Sequence, residues 1–131
     1  MNLLNAQQPN ADKRIYPRLI VRLPARFWLA VDGDASYKHG HTENISAGGV
    51  LLRCFGFDKE SVRRLIRDQS DLCLRLRLDS GQTPLAARGR VIRAKECNDD
   101  MLLTVQFTGI APSERDRIHE FMLPHYPRSC S

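Results

Sequence analysis

Leucines at every second position of residues 71–79 constrain the fold more than any other feature of this sequence. The four residues are Leu72, Leu74, Leu76 and Leu78. Successive side chains of a β-strand point to opposite faces, so this spacing places all four leucines on one face. The intervening positions are mostly charged, which is typical of an antiparallel sheet with one face toward the core and one toward water. The sequence therefore predicts a mainly β domain.

Five other segments have strand-like patterns, and Asp, Asn, Gly and Ser clusters separate several of them. These segments are Leu19–Val31, Tyr37–Ile45, Val50–Cys54, Leu85–Lys95 and Met101–Phe107. Pro24 cannot donate a hydrogen bond to a β-ladder, so we expect the first strand to bend or to lie at an edge there. Six short strands in a chain of 131 residues most simply close into a small barrel or fold as a sandwich.

Two segments have helical patterns instead. Residues Asp58–Arg67 place three apolar side chains on one face, and Asp58 is suited to cap the first turn. Near the C-terminus, Ser113 is the expected cap of a second helix, which Pro124 ends. The apolar stripes are Val62, Leu65 and Ile66 in the first helix and Ile118, Phe121 and Met122 in the second. We expect the second helix to cover an opening or an edge of the β-domain.

Composition excludes several classes of protein. The 42% of hydrophobic residues is enough for a core, which argues against disorder. No apolar run approaches the ~20 residues of a membrane helix, and Met1–Asp12 lacks the apolar stretch of a secretory signal. The four cysteines form no C-x-x-C pair, so we expect reduced structural thiols rather than zinc ligands. We therefore predict a cytoplasmic protein with a flexible tail over residues 1–12, one domain over 13–124 and a C-terminal tail over 125–131.

The charge of the chain points weakly to a phosphate-bearing partner. The formal net charge is +5, and 4 of the 20 basic residues are lysines, which leaves 16 arginines. The planar guanidinium group pairs with phosphates and with guanine edges, and it also stacks on rings. A GC-rich genome is the competing explanation for so many arginines.

A basic string directly precedes the first strand. Arg14 and Arg18 lie four residues apart, and Lys13 adds a third positive charge. Pro17 disfavours a regular helix at the residue before it. These residues therefore form a basic arm next to a rigid element.

A polar, glycine-containing loop lies between the second and third predicted strands. It contains Asn44, Ser46, Gly48 and Gly49. Asn and Ser are common in turns because their short side chains hydrogen-bond to nearby backbone groups. The glycines allow a positive φ and the close approach of a ligand to the backbone. Such a loop is suited to bind a base edge or a phosphate.

Together, the R-x-x-x-R string and the later N-x-S-x-x-G string resemble the signature of the PilZ family, which binds the bacterial second messenger cyclic di-GMP. The resemblance extends from Lys13 to about Leu123. It implies an all-β fold, a six-stranded antiparallel PilZ-type barrel with a C-terminal helix. The helical segment Asp58–Arg67 departs from the family pattern.

The resemblance also implies a site and a mechanism. The implied cyclic di-GMP ligands are Arg14, Arg18, Asn44, Ser46 and Gly49, with secondary roles for Lys13 and Gly48. Arginine can bind the O6 and N7 of guanine, pair with phosphate or stack on a base, and the division between the two arginines stays open. An arm that wraps one or two nucleotides would change the surface that a downstream protein contacts. Motility, exopolysaccharide secretion and virulence are the implied outputs, and no cofactor is expected.

The main alternative is an adaptor of the same fold that binds protein or nucleic acid. A platform that stacks the bases of single-stranded nucleic acid needs several exposed rings and a basic groove. We expect Phe27 in the core and Trp28 on the opposite face, exposed or in an interface. We expect Arg75 and Arg77 on a solvated outer face rather than in a groove. His39 and His41 alternate on a strand but have no supporting ligand pattern, so no metal site is expected. Ser46 has no motif-level base, so we expect no enzyme. Phe121 and Met122 could support a homodimer.

Overall fold

The computed structural model describes residues 18–31, 33, 37–56, 59–79 and 82–125. Six antiparallel strands close into a barrel in the order β1-β2-β3-β6-β5-β4. The strands are β1 (Pro24–Leu29), β2 (Lys38–Ser46), β3 (Gly49–Cys54), β4 (Asp71–Leu76), β5 (Leu85–Cys97) and β6 (Asp100–Gly109). The helices are α1 (Lys59–Asp68) and α2 (Pro112–Met122), and a 3-10 turn (Leu123–His125) follows α2. The barrel confirms the fold that the resemblance implied and excludes the sandwich.

The core lies inside the barrel and follows the period-two pattern of the sequence. The leucines of the 71–79 segment are all buried, as are Phe27 and the alternate residues of β6 from Met101 to Phe107. Cys73 is also buried although it lies on the outer side of β4. The prediction fails at Val31, whose side chain is 85% exposed. Val31 lies beyond the last residue of β1, so the alternation no longer places it against the core.

The first strand is shorter than the predicted segment Leu19–Val31. It begins at Pro24, whose carbonyl accepts a hydrogen bond from the N–H of Arg77 at 3.1 Å. Proline has no N–H to offer, so the first position of a strand is one that tolerates it. The expected edge is absent, because β1 pairs with both β2 and β4 in the closed barrel.

Both helices pack against the barrel, with two corrections to the predicted details. In α1, Val62 and Leu65 are buried, but Ile66 is 36% exposed. The predicted cap Asp58 lies outside the described residues. In α2, Ala111 rather than Ser113 occupies the N-cap, and Pro112 starts the first turn. Proline is favoured there because its missing N–H would have no helical partner, so Ser113 falls inside the helix.

Helix α2 covers the barrel opening at the start of β5, as predicted. Ile118 and Met122 are buried in the barrel core. Glu114 accepts a hydrogen bond from the N–H of Ala86 at 2.9 Å, and Arg117 donates to Glu114 at 3.0 Å. Burial alone would raise the pKa of Glu114, but these two donors lower it below its ordinary value. A charged carboxylate therefore ties the helix to the strand.

Two of the three cysteines that the structure describes behave as small core residues. Cys54, Cys73 and Cys97 are free thiols, and the first two are buried. Burial raises the pKa of Cys54, so its thiol stays protonated and unreactive. Across the described ranges, neither helix is long and apolar enough to cross a membrane.

Candidate functional site

A short backbone pairing brings the end of the basic arm to the polar loop. The Leu19 N–H donates to the Ile45 carbonyl at 2.8 Å, and the Ile45 N–H donates to the Leu19 carbonyl at 2.9 Å. The pairing is antiparallel, so it places Arg18 opposite Ser46 and Ile20 opposite Asn44. Arg18 is exposed, whereas Asn44 and Ser46 are half-buried. Three of the predicted site residues therefore lie together on one patch of the barrel.

A β-bulge aims the polar side chains of β2 at this patch. The register between β2 and β3 shifts between Thr42 and Asn44, which inserts one extra residue into β2. Thr42 and Ile45 both point into the core, although strict alternation would place them on opposite faces. Because the bulge resets the alternation, Asn44 and Ser46 share the outer face.

Thr42 fixes the incoming chain beside β2. Its side chain is fully buried, and its hydroxyl accepts a hydrogen bond from the Leu23 N–H at 2.9 Å. The same hydroxyl donates to the Val21 carbonyl. The Thr42 N–H also donates to the Leu23 carbonyl at 2.9 Å. One side chain therefore holds residues 21–23, which lead back to Arg18.

We expect Thr42→Val to destabilise the protein by about 2 kcal/mol, because it leaves the buried Leu23 N–H and the part-buried Val21 carbonyl without this partner. Urea unfolding monitored by circular dichroism measures the change in the free energy of unfolding. Thr108→Val, on the exposed outer face of β6, is the matched control and should be nearly neutral. An equal effect of the two substitutions would show that the Thr42 hydroxyl does not hold this segment.

The turn between β2 and β3 is fixed by its own hydrogen bonds. The Ser46 Oγ accepts from the Gly48 N–H at 3.1 Å and donates to the Gly49 carbonyl at 3.4 Å. The Gly48 carbonyl accepts from the Phe107 N–H at 2.9 Å. The serine therefore shapes the turn as well as lining the patch.

The structure corrects the predicted reason for the glycines. Neither Gly48 nor Gly49 has a positive φ. A Cβ added to Gly49 would overlap the Val105 carbonyl oxygen and lie 3.2 Å from the Gln106 Cα. Gly49 is thus required by the close approach of β6, a long-range contact that the motif alone did not indicate.

An ion-pair network lies beside the patch on the outer faces of β2, β3 and β6. Arg53 Nε donates to Glu43 at 2.8 Å, and Arg53 Nη1 lies 3.5 Å from Asp100. His41 Nε2 is 3.2 Å from the same Glu43 carboxylate. The Arg53 hydrogen bond lowers the pKa of Glu43. This network holds Glu43 as a charged carboxylate that is already paired with Arg53.

Arg90 is a candidate contact that the motifs did not indicate. Arg90 lies opposite Gln106 on β6, which in turn lies opposite Gly49. It is half-buried, and its Nε has no hydrogen-bond partner among the described residues. The sequence signal for Arg90 was its place in the alternating pattern of β5, where it points outward next to the inward-pointing Val91.

The other residues singled out in the sequence add little to the description of the patch. Lys13 and Arg14 lie outside the described residues. His41 contacts Glu43, while His39 makes an edge contact with Tyr37, their ring centroids 4.9 Å apart. Within the ranges that the structure describes, no three His, Cys, Asp or Glu side chains are grouped to hold a metal ion. Arg77 is exposed as predicted, whereas Arg75 is half-buried.

Comparison with known proteins identifies the family of the domain. The family model described as a PilZ domain matches residues 12–123. No curated protein matches the sequence.

Solved structures share the fold at low sequence identity. The PilZ domain of YcgR from Escherichia coli with c-di-GMP (cyclic di-GMP) superposes with a TM-score of 0.64 at 13% identity, covering 86% of this chain and 90% of that one. MotI/DgrA, an inhibitor of motility from Bacillus subtilis, has a TM-score of 0.68 at 16% identity, with 86% and 50% covered. The complex of MrkH from K. pneumonia with c-di-GMP has a TM-score of 0.64 at 15% identity, with 86% and 52% covered. The chain thus spans about half the length of MotI and MrkH.

Proposed function

This chain belongs to the PilZ domain family, and from that premise we propose that it is a receptor for cyclic di-GMP. The proposed nucleotide site consists of Arg14, Arg18, Asn44, Ser46 and Gly49, with Lys13 and Gly48 beside it. Structures of two similar proteins, YcgR and MrkH, contain this nucleotide. The proposed role is binding and signalling rather than catalysis.

One observation supports this site most strongly. The Leu19–Ile45 backbone pair holds Arg18 opposite Ser46, on the same outer face as Asn44. A guanidinium group, an amide and a hydroxyl together match a ligand with anionic phosphates and guanine edges, because each guanine offers O6 and N7 as acceptors. Ile20, 87% exposed and opposite Asn44, adds an apolar surface against which a base can pack.

The proposed signal is a change in the arm. Among the described residues, Arg18 directly precedes the first backbone contact with the barrel. Nucleotide bound between the arm and β2 favours the conformation in which both contact it, and a ligand shifts an equilibrium only through such a preference. A downstream protein that contacts the arm then distinguishes the two states. Motility, exopolysaccharide secretion and virulence are the proposed outputs.

Isothermal titration calorimetry with cyclic di-GMP tests the proposal. We expect saturable binding, and binding of cyclic di-AMP weaker by about tenfold or more, because adenine presents a donor where guanine presents O6. Repeating the titration at several salt concentrations separates this function from polynucleotide binding. The logarithm of a polynucleotide's binding constant falls steeply with the logarithm of the salt concentration, and such binding shows little preference for guanine. Absence of cyclic di-GMP binding, or equal affinity for both dinucleotides, would exclude the proposed receptor.

A further inference from the structure

Three basic side chains form a row across the outer faces of three neighbouring strands. Arg26 on β1 lies opposite His39 on β2 and, on its other side, opposite Arg75 on β4. Ala25 and Phe27 point into the core, so Arg26 points outward. Like charges directly opposite one another destabilise a sheet. This cation row (Arg26 and Arg75, with His39 beside them) therefore carries a cost at the Arg26–Arg75 pair that barrel packing does not explain.

Aromatic rings hold both arginines of the row in place. The guanidinium carbon of Arg26 lies 5.2 Å from the centroid of the Tyr37 ring, and that of Arg75 lies 5.0 Å from the centroid of Trp28. Arg75 Nη1 also donates to the Leu74 carbonyl at 3.0 Å. A guanidinium group that is already fixed by stacking loses less side-chain entropy when it binds an anion.

In the part of the chain that the structure describes, no carboxylate is paired with either arginine of the row. Glu114 feels the charge of Arg75, but its carboxylate already accepts hydrogen bonds from Ala86 and Arg117. The row is thus available to an external anion.

The cation row lines a cleft with apolar walls. The residues around it are Pro24, Ala25, Arg26, His39, Gly40, Arg75, Arg77 and Pro84. His39 lies five residues before Asn44 on β2, roughly 16 Å along the strand at 3.3 Å per residue, so the cleft is separate from the proposed nucleotide site.

We propose that this cleft binds an acidic segment of a partner protein, with Asp or Glu carboxylates held by Arg26 and Arg75. Arginine binds carboxylates through two parallel hydrogen bonds, and walls of proline and glycine suit a peptide chain. Single-stranded nucleic acid relies on open aromatic faces for its bases, whereas Trp28 and Tyr37 are each covered by a guanidinium group. The charge and the covered rings therefore favour a protein segment, and the inference does not depend on nucleotide binding.

Trp28 gives this inference a direct readout, because it is the single tryptophan of the chain and lies under Arg75. The full chain is titrated with capped hexaglutamate, with hexaglutamine as the uncharged comparison and oligo(dT) as the nucleic-acid comparison. We expect hexaglutamate alone to change the Trp28 emission to saturation, and added salt to weaken this response.

Substitutions at Arg26 test the assignment without removing the Arg75–Trp28 contact. Arg26→Gln should weaken hexaglutamate binding about tenfold, and Arg26→Lys should weaken it less because it keeps the charge but not the planar fork. Arg64→Gln, on the exposed face of α1, is the matched control and should bind as the unmodified chain does. Cyclic di-GMP affinity should stay unchanged in Arg26→Gln.

Three results would overturn the assignment. The first is the absence of a saturable response to hexaglutamate. The second is an equal hexaglutamate affinity of Arg26→Gln and the unmodified chain. The third is that oligo(dT) binds more tightly than hexaglutamate and that Arg26→Gln abolishes this binding. The third result would assign the cleft to nucleic acid. Arg26→Lys preserves the charge of the row, so it keeps the test decisive if Arg26→Gln fails to fold.

Discussion

Arg18→Ala is expected to weaken cyclic di-GMP binding about tenfold or more. A hydrogen bond to a charged group contributes about 1.5–3 kcal/mol, and about 1.4 kcal/mol corresponds to a factor of ten in the dissociation constant. The Leu19–Ile45 pairing uses backbone atoms only, so this pairing does not depend on the Arg18 side chain. Calorimetry measures the dissociation constant, and thermal unfolding checks that the barrel is intact.

Arg64→Ala is the control for the loss of one positive charge. Arg64 is exposed on α1, which follows the far end of β3 from Gly49. Its removal should leave the affinity within a factor of about two, because exposed charges at that distance are screened by salt. If Arg18→Ala and Arg64→Ala lower the affinity equally, Arg18 contributes only to the net charge of the protein.

Gly49→Ala is expected to destabilise the barrel by about 3 kcal/mol, at the upper end of the usual range for overpacking. The new Cβ would overlap the Val105 carbonyl oxygen of the neighbouring strand, which is backbone and cannot rotate away. For a domain of this size, the expected fall in melting temperature is about 10 °C. Differential scanning calorimetry measures it.

Gly109→Ala provides a matched control near the same end of the barrel. A Cβ at Gly109 would lie 3.5 Å from the Arg88 Cβ, an ordinary van der Waals distance. This substitution should change the free energy of unfolding by less than about 0.5 kcal/mol. Equal melting temperatures for the two variants would contradict the steric explanation of Gly49.

Local patterns in the sequence predicted most of the fold. The alternate leucines of β4 and the alternate apolar residues of β6 are buried as the period of two requires. Barrel and sandwich could not be separated by this pattern, since both bury one face of each strand. The closing β1–β4 pair, which decides between them, joins residues far apart in the chain. The prediction of Ser113 as the N-cap was wrong because Pro112 already lies in the first turn of α2, and the helix begins without a side-chain cap.

The residues alone predicted the site only as two separate motifs, and the family resemblance implied that the two motifs bind one ligand. Their contact depends on the Leu19–Ile45 pairing and on the bulge after Thr42, which places Asn44 and Ser46 on the outer face. A bulge adds a single residue and leaves little trace in an alternation pattern. The role of Gly49 was missed for a similar reason, because its constraint comes from β6 rather than from its own turn.

Amide chemical-shift mapping tests most directly whether the arm and the β2–β3 turn contact one ligand. On titration of the labelled full chain with cyclic di-GMP, we expect the largest shifts at Arg18, Leu19, Asn44, Ser46 and Gly49. All of them should follow one binding curve with one dissociation constant. Shifts concentrated on α1, or separate curves for the arm and for the turn, would contradict a shared site.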